Sequence, residues 1–193
     1  MNFHNIYITG VGGQGIGLLS ETMLLSGDFA GLDVRAVDTH GLAQRGGTVE
    51  SFLRLGKNIH SPLIAPGMAD LVIALEINEA LRGMDKYLRN NGTLIYYDTQ
   101  WQPLEVRLSR KSTLNEDVIN TQAKIRNCNV HRVFVEDLPD TRMQNVAILG
   151  TIAAKKLVEG ITPEHYIQAL SQLLKPSVLK GNLEVFNKIL LKK

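Results

Sequence analysis

The chain has 193 residues, of which 44% are hydrophobic and 21% charged, with a formal net charge of +2. That length suits a single domain over residues 1–193 that buries roughly 70% of its unfolded surface, and so mild a basic balance argues against a nucleic-acid binder. The single cysteine, Cys128, excludes an internal disulfide and also a self-held iron–sulfur cluster, which normally takes about four cysteines.

Asn5 to Thr9 reads as a short buried strand that runs into Gly10-Val11-Gly12-Gly13-Gln14-Gly15. Ile16 to Gly31 follows as a helix, with Leu18, Leu19, Thr22, Leu25 and Phe29 near one face. Asp33 to Val37 is the second strand, so the opening is a strand–glycine turn–helix–strand unit whose strands are expected to lie side by side. His40 to Gly47 is a polar loop, and Thr48 to Leu55 alternates like a strand. Residues 59–66 carry two prolines and read as a loop. Ala69 to Leu75 is a buried strand, followed by a helix from about Asn78 to Arg89. Asn91-Gly92 signals a turn before a strand over Thr93–Tyr97.

Residues 99–117 are mixed in character. Val118–Arg126 reads as a short helix and Val130–Val135 as a strand. From Gln144 the pattern turns helical, and Val146 to Ala154 is apolar nearly all round, as a buried helix is. Thr162-Pro163 opens the next helix, through about Leu174, with a cap and a first-turn proline. Residues 177–191 form a last amphipathic helix. The fold class is therefore α/β: three layers around a Rossmann-like, mostly parallel or mixed sheet, with a helical C-terminal region. No stretch approaches the ~18 apolar residues of a membrane span, and Met1–Asn5 carries no basic region of a secretory signal. The reduced thiol and the missing signal point to a cytoplasmic setting.

Gly10, Gly12 and Gly15 fit a G-x-G-x-x-G pattern, with Gly13 in addition. Such glycines allow a sharp turn and close approach of an anion to the following helix N-terminus. Asp38 falls about where a dinucleotide fold places its ribose-binding acid. The same glycines also serve tight strand–helix packing, so the motif alone leaves both readings open. The second loop adds His40, Gln44 and Arg45 among Gly41, Gly46 and Gly47. An arginine can donate two parallel hydrogen bonds to a phosphate or carboxylate, and it can equally tie down a neighbouring carbonyl.

Together, Gly10–Gly15 and Asp38-Thr39-His40-Gly41-Leu42-Ala43-Gln44-Arg45-Gly46-Gly47 resemble the gamma-type domain of 2-oxoacid:ferredoxin oxidoreductases. Within that family they look most like the beta subunits of the indolepyruvate branch. Asn145-Val146-Ala147-Ile148-Leu149-Gly150 is also similar to a helix start in the family. The resemblance extends from Ile6 to about Leu190. Thr39 and Leu42 depart from the Val and Met of many relatives.

The resemblance implies a non-autonomous oxidoreductase subunit without catalytic residues, metal or cofactor of its own. An alpha subunit would carry thiamine diphosphate and iron–sulfur clusters and pass electrons to ferredoxin. Coenzyme A would be the co-substrate of oxidative decarboxylation to an acyl-CoA. This chain would complete the active site and the coenzyme A site through Gly10, Gly12, Gly13, Gln14, Gly15, His40, Gln44, Arg45, Gly46 and Gly47. The rival readings are a stand-alone NAD- or FAD-binding enzyme and a nucleotide-binding regulatory module. Alone, the chain would form a homodimer if it covers its contact surface with a second copy.

The remaining histidines, His4, His60, His131 and His165, show no metal-ligand spacing and read as surface or cap residues. Cys128 has no activating base nearby in sequence and reads as structural. Trp101 reads equally as packing and as an interface anchor. Lys175, Lys180, Lys188, Lys192 and Lys193 make the C-terminus basic, a solvated face by default and an attraction to an acidic partner otherwise.

Overall fold

The computed structural model describes residues 3–40, 47–100 and 116–192, with the backbone alone of His40. Six strands form one sheet: β1 (Phe3–Val11), β2 (Asp33–His40), β3 (Thr48–Gly56), β4 (Ala69–Ala74), β5 (Leu88–Tyr97) and β6 (Asn129–Val133). Their order across the sheet is β2-β3-β1-β4-β5-β6. β1, β4, β5 and β6 pair in parallel, and β3 is antiparallel to both β1 and β2. The mixed α/β sheet agrees with the sequence expectation. The expected adjacency of β1 and β2 does not hold. β3 lies between them, so the crossover through helix α1 (Ile16–Phe29) skips one strand. β1 and β2 still run in the same direction, and their C-terminal ends share one edge of the sheet.

Helices cover both faces. On one side lie α1, α4 (Gln144–Ala154), α5 (Pro163–Leu173) and α6 (Pro176–Leu190); on the other lie α2 (Ile77–Lys86) and α3 (Glu116–Arg126). Two cores result. Ile6, Ile8, Leu53, Ile73 and Ile95 face the first group, and Tyr7, Phe52, Val72, Leu94 and Tyr96 face the second. Strands β1 and β4 are buried on both faces, which is why their sequences read as continuous apolar runs. α4 is the most enclosed helix, with Asn145 through Gly150, Ile152 and Ala153 all buried. A side chain at Gly150 would meet the Phe186 carbonyl of α6 at 3.1 Å, so the glycine permits a close helix crossing.

Three local expectations change. The Asn91-Gly92 turn lies within β5 as a bulge: Ala69 pairs with Leu88, yet Leu71 pairs with Thr93. Asn91 adopts a left-handed φ of 58° there. α2 ends at Lys86 rather than near Arg89, because β5 begins at Leu88. β6 ends at Val133, short of Val135. Residues 101–115, which include Trp101, lie outside the described residues.

Candidate functional site

β1 delivers the glycine turn to the sheet edge, where the segment entering β3 meets it. The Gly12 amide donates to the Gly47 carbonyl at 2.9 Å, and Val11 pairs with Thr48. The glycine turn is thus bonded to the residue that enters β3. Gly13 and Gly15 take positive φ values of 102° and 81°, a region that costs any other residue about 1–2 kcal/mol. Gly15 caps α1 in the left-handed conformation with no side-chain cap, and the first turn of α1 has no acidic residue. Its early N–H groups therefore meet no competing carboxylate within that turn. Around Gly13 and Gly17 the position of a side chain would be open space. This donor set suits a phosphate or carboxylate.

Gln14 is buried and turned inward. Its Oε1 accepts from the Val11 amide at 2.8 Å, and its Nε2 donates to the Leu75 carbonyl at 3.2 Å. Gln14 therefore fixes the shape of the turn, with both ends of its amide engaged. Gly10 permits this, since a Cβ there would lie 2.9 Å from the Gln14 Oε1. Asn145, buried at the start of α4, donates to the Gly15 carbonyl at 3.1 Å and accepts from the Val146 amide at 2.8 Å. Sequence reasoning assigned Asn145 no part in the site. The helix-start motif around it was visible, but its contact spans 130 residues.

The backbone of His40 pairs with Val49 at the end of β2. Gln44, Arg45 and Gly46 lie outside the described residues. Asp38, the candidate ribose ligand, accepts from the Ser51 hydroxyl at 2.5 Å and from Ser20 at 3.3 Å. The acid thus ties β2 and β3 to α1. With β3 also inserted beside β1, neither the strand order nor this acid favours a dinucleotide site of the Rossmann kind.

A second polar group sits on the opposite face. Glu79, with a side chain 4% exposed, accepts from Thr9 at 3.0 Å, from Thr48 at 3.2 Å and from Arg82 at 2.6 Å. It joins β1, the first residue of β3 and α2, and lines a cleft of about 680 Å³ with Tyr7, Thr39, Glu50 and Lys86. Glu76 caps α2 by accepting from the Glu79 amide at 2.6 Å. Burial pushes the Glu76 carboxyl above the usual range, against the lowering effect of its bonds from Asn78 and Glu79. Replacing Glu79 by alanine strands the buried Thr9 hydroxyl and is expected to cost about 1–3 kcal/mol in chemical denaturation of the lone chain. A loss below about 0.5 kcal/mol would show that the three bonds contribute nothing net.

His165 and Cys128 have plain structural surroundings. His165 accepts from the Thr162 amide at 3.1 Å in a capping box. Cys128 is half-buried against the Arg89 carbonyl. Among the described residues no cluster of His, Cys, Asp and Glu could hold a metal ion, and no helix is long and apolar enough to cross a membrane.

The family model described as pyruvate ferredoxin/flavodoxin oxidoreductase matches residues 5–190. A protein of Archaeoglobus fulgidus named indolepyruvate oxidoreductase subunit IorB is 47% identical over 96 residues, 50% of this chain and 46% of that protein. Its namesake in Thermococcus kodakarensis is 35% identical over 118 residues, 60% of this chain and 58% of that protein. The chain thus spans about half the length of the curated relatives it matches. Among solved structures, the gamma subunit of a keto/oxoacid ferredoxin oxidoreductase from Geobacter sulfurreducens superposes with a TM-score of 0.67 at 18% identity, over 97% of this chain and 96% of that one. The 2-oxoglutarate:ferredoxin oxidoreductase of Magnetococcus marinus, solved with 2-oxoglutarate, coenzyme A and succinyl-CoA bound, gives 0.68 at 18% identity, over 98% of this chain and 30% of that one. At such identities the likeness concerns the fold.

Proposed function

The chain belongs to the pyruvate ferredoxin/flavodoxin oxidoreductase family, and from that premise we propose that it is the small subunit of a 2-oxoacid:ferredoxin oxidoreductase acting on indolepyruvate or a related aryl pyruvate. The observation that carries this reading is the family match over residues 5–190. The relatives named as indolepyruvate oxidoreductase subunits support the substrate class. A larger alpha chain would hold thiamine diphosphate and iron–sulfur clusters, which supply decarboxylation chemistry and a path for electrons to ferredoxin.

This chain's own contribution is an anion-binding edge. The first-turn N–H groups of α1 donate to a phosphate of coenzyme A, with Gly13 leaving room for it and Gln14 and Asn145 holding the turn in shape. Arg45 would add a guanidinium to this donor set, and His40, Gln44, Gly46 and Gly47 complete the proposed residues. The fit rests on the donor set: uncapped amides, no first-turn carboxylate and open space beside them.

A subunit that completes another chain's site buries a large, well-packed interface, of order 1,600 Å² or more. Co-expression with the alpha chain is therefore expected to yield a stable complex on size exclusion. Separate elution of the two chains at low salt and micromolar concentration would overturn the subunit reading.

A further inference from the structure

At the far end of the sheet, β6 runs into a segment that faces α4 and α6 across a shallow groove. Its two parts hold about 350 Å³ and 170 Å³ and share Val135, Ile189 and Lys192. The floor is apolar, built from Val133, Val135, Leu138, Val185 and Ile189. Two large apolar side chains stand in solvent beside it, Phe134 at 57% and Leu191 at 80% exposure. The backbone beside Phe134 is tied down: the buried Tyr97 hydroxyl donates to the Val135 carbonyl and accepts from the Val135 amide, both at 3.3 Å, and the Phe134 ring lies 6.4 Å from that of Tyr97. An exposed aromatic on a backbone tied down in this way suits an anchor that a partner covers.

The rim is cationic. The larger part of the groove is lined by Arg132, Lys155 and Lys192, with no carboxylate among its lining residues. Arg132 is paired with Asp98 and Glu116. Lys155 and Lys192 have no ion-pair partner among the described residues. Burial, helped by the Lys155 charge, holds His131 below the usual imidazole range. The acids of the groove, Asp137 and Glu184, lie in its smaller part together with Lys188. No buried polar side chain lines the larger part, and its lysines stand on an open rim. Such a surface suits an extended partner better than a small anion.

We propose that this groove docks a segment of the larger partner chain in which an apolar anchor packs beside Phe134 and acidic residues face Lys155 and Lys192. The proposal rests on the subunit reading above and names the face that reading leaves unassigned. Attraction across such a face favours one partner and register, and it weakens as salt rises.

The test is binding of the purified alpha chain to this chain and to two variants, Lys155→Glu/Lys192→Glu and Phe134→Ala, by calorimetry at low and high salt. Each variant is expected to bind roughly tenfold more weakly or worse at low salt, with the melting temperature of the lone chain unchanged. The wild-type affinity is expected to fall with salt more steeply than that of the charge-reversed variant. Wild-type affinity in both variants would overturn the docking face and leave the subunit reading intact. Absence of any complex with the wild-type chain would overturn both. Variants that alter only self-association would assign the face to a second copy and likewise overturn the proposal.

Discussion

Replacing Gly15 by alanine is expected to destabilise the lone chain by about 2–4 kcal/mol, the larger of the two stability effects that the glycine turn can show. Two costs add. A φ of 81° puts the new side chain in the left-handed region, at about 1–2 kcal/mol. The added Cβ would also lie 2.5 Å from the Asn145 Nδ2. Asn145 is 2% exposed, and moving its amide away from the new atom gives up its bond to the Gly15 carbonyl. That loss adds about 1–2 kcal/mol. Gly13→Ala is the control, because it meets the φ cost at 102° with nothing within 4 Å of the added atom. Thermal unfolding followed by circular dichroism measures both. Gly15→Ala is expected to melt well below Gly13→Ala, and equal melting temperatures would remove Asn145 from the account of the turn.

The second large effect concerns function. Arg45→Ala in the assembled enzyme is expected to raise the coenzyme A requirement, or to weaken assembly, by about ten- to a hundredfold. Loss of one charge-assisted pair costs roughly 1.5–3 kcal/mol, which converts to that range of affinity. The lone chain is expected to keep its stability. Steady-state kinetics at varied coenzyme A, together with the melting temperature of the lone chain, separates the outcomes. A lone chain weakened by several kcal/mol beside an assembled enzyme of wild-type kinetics would make Arg45 a structural brace.

The Gly10–Gly15 turn was legible in the sequence because its chemistry is local. A glycine at a left-handed position leaves a mark in one residue, and two of the four glycines of Gly10 to Gly15, Gly13 and Gly15, are of this kind. The helix starts were equally local: Thr162-Pro163 announced α5, and His165 closes its cap. Strand order was not legible. β3 separates β1 from β2 through pairings such as Tyr7 with Phe52 and Val37 with Phe52, and nothing in the alternation of Thr48 to Leu55 specifies two neighbours rather than one. Asn91-Gly92 carried a genuine left-handed signal at Asn91, but the parallel pairing of β4 with β5 absorbed it as a bulge. Gln14 and Glu79 were harder still. Their roles depend on Leu75, Thr9 and Thr48, which lie 31 to 70 residues away.

Reconstitution of electron transfer from the two chains tests the central claim most directly. The alpha chain and this chain are purified separately, then assayed alone and together for ferredoxin reduction with indolepyruvate and coenzyme A. Neither chain alone is expected to turn over, and the mixture is expected to reduce ferredoxin at a rate that saturates with this chain near a fixed ratio. Turnover by this chain by itself, or an alpha chain fully active in its absence, would contradict the account.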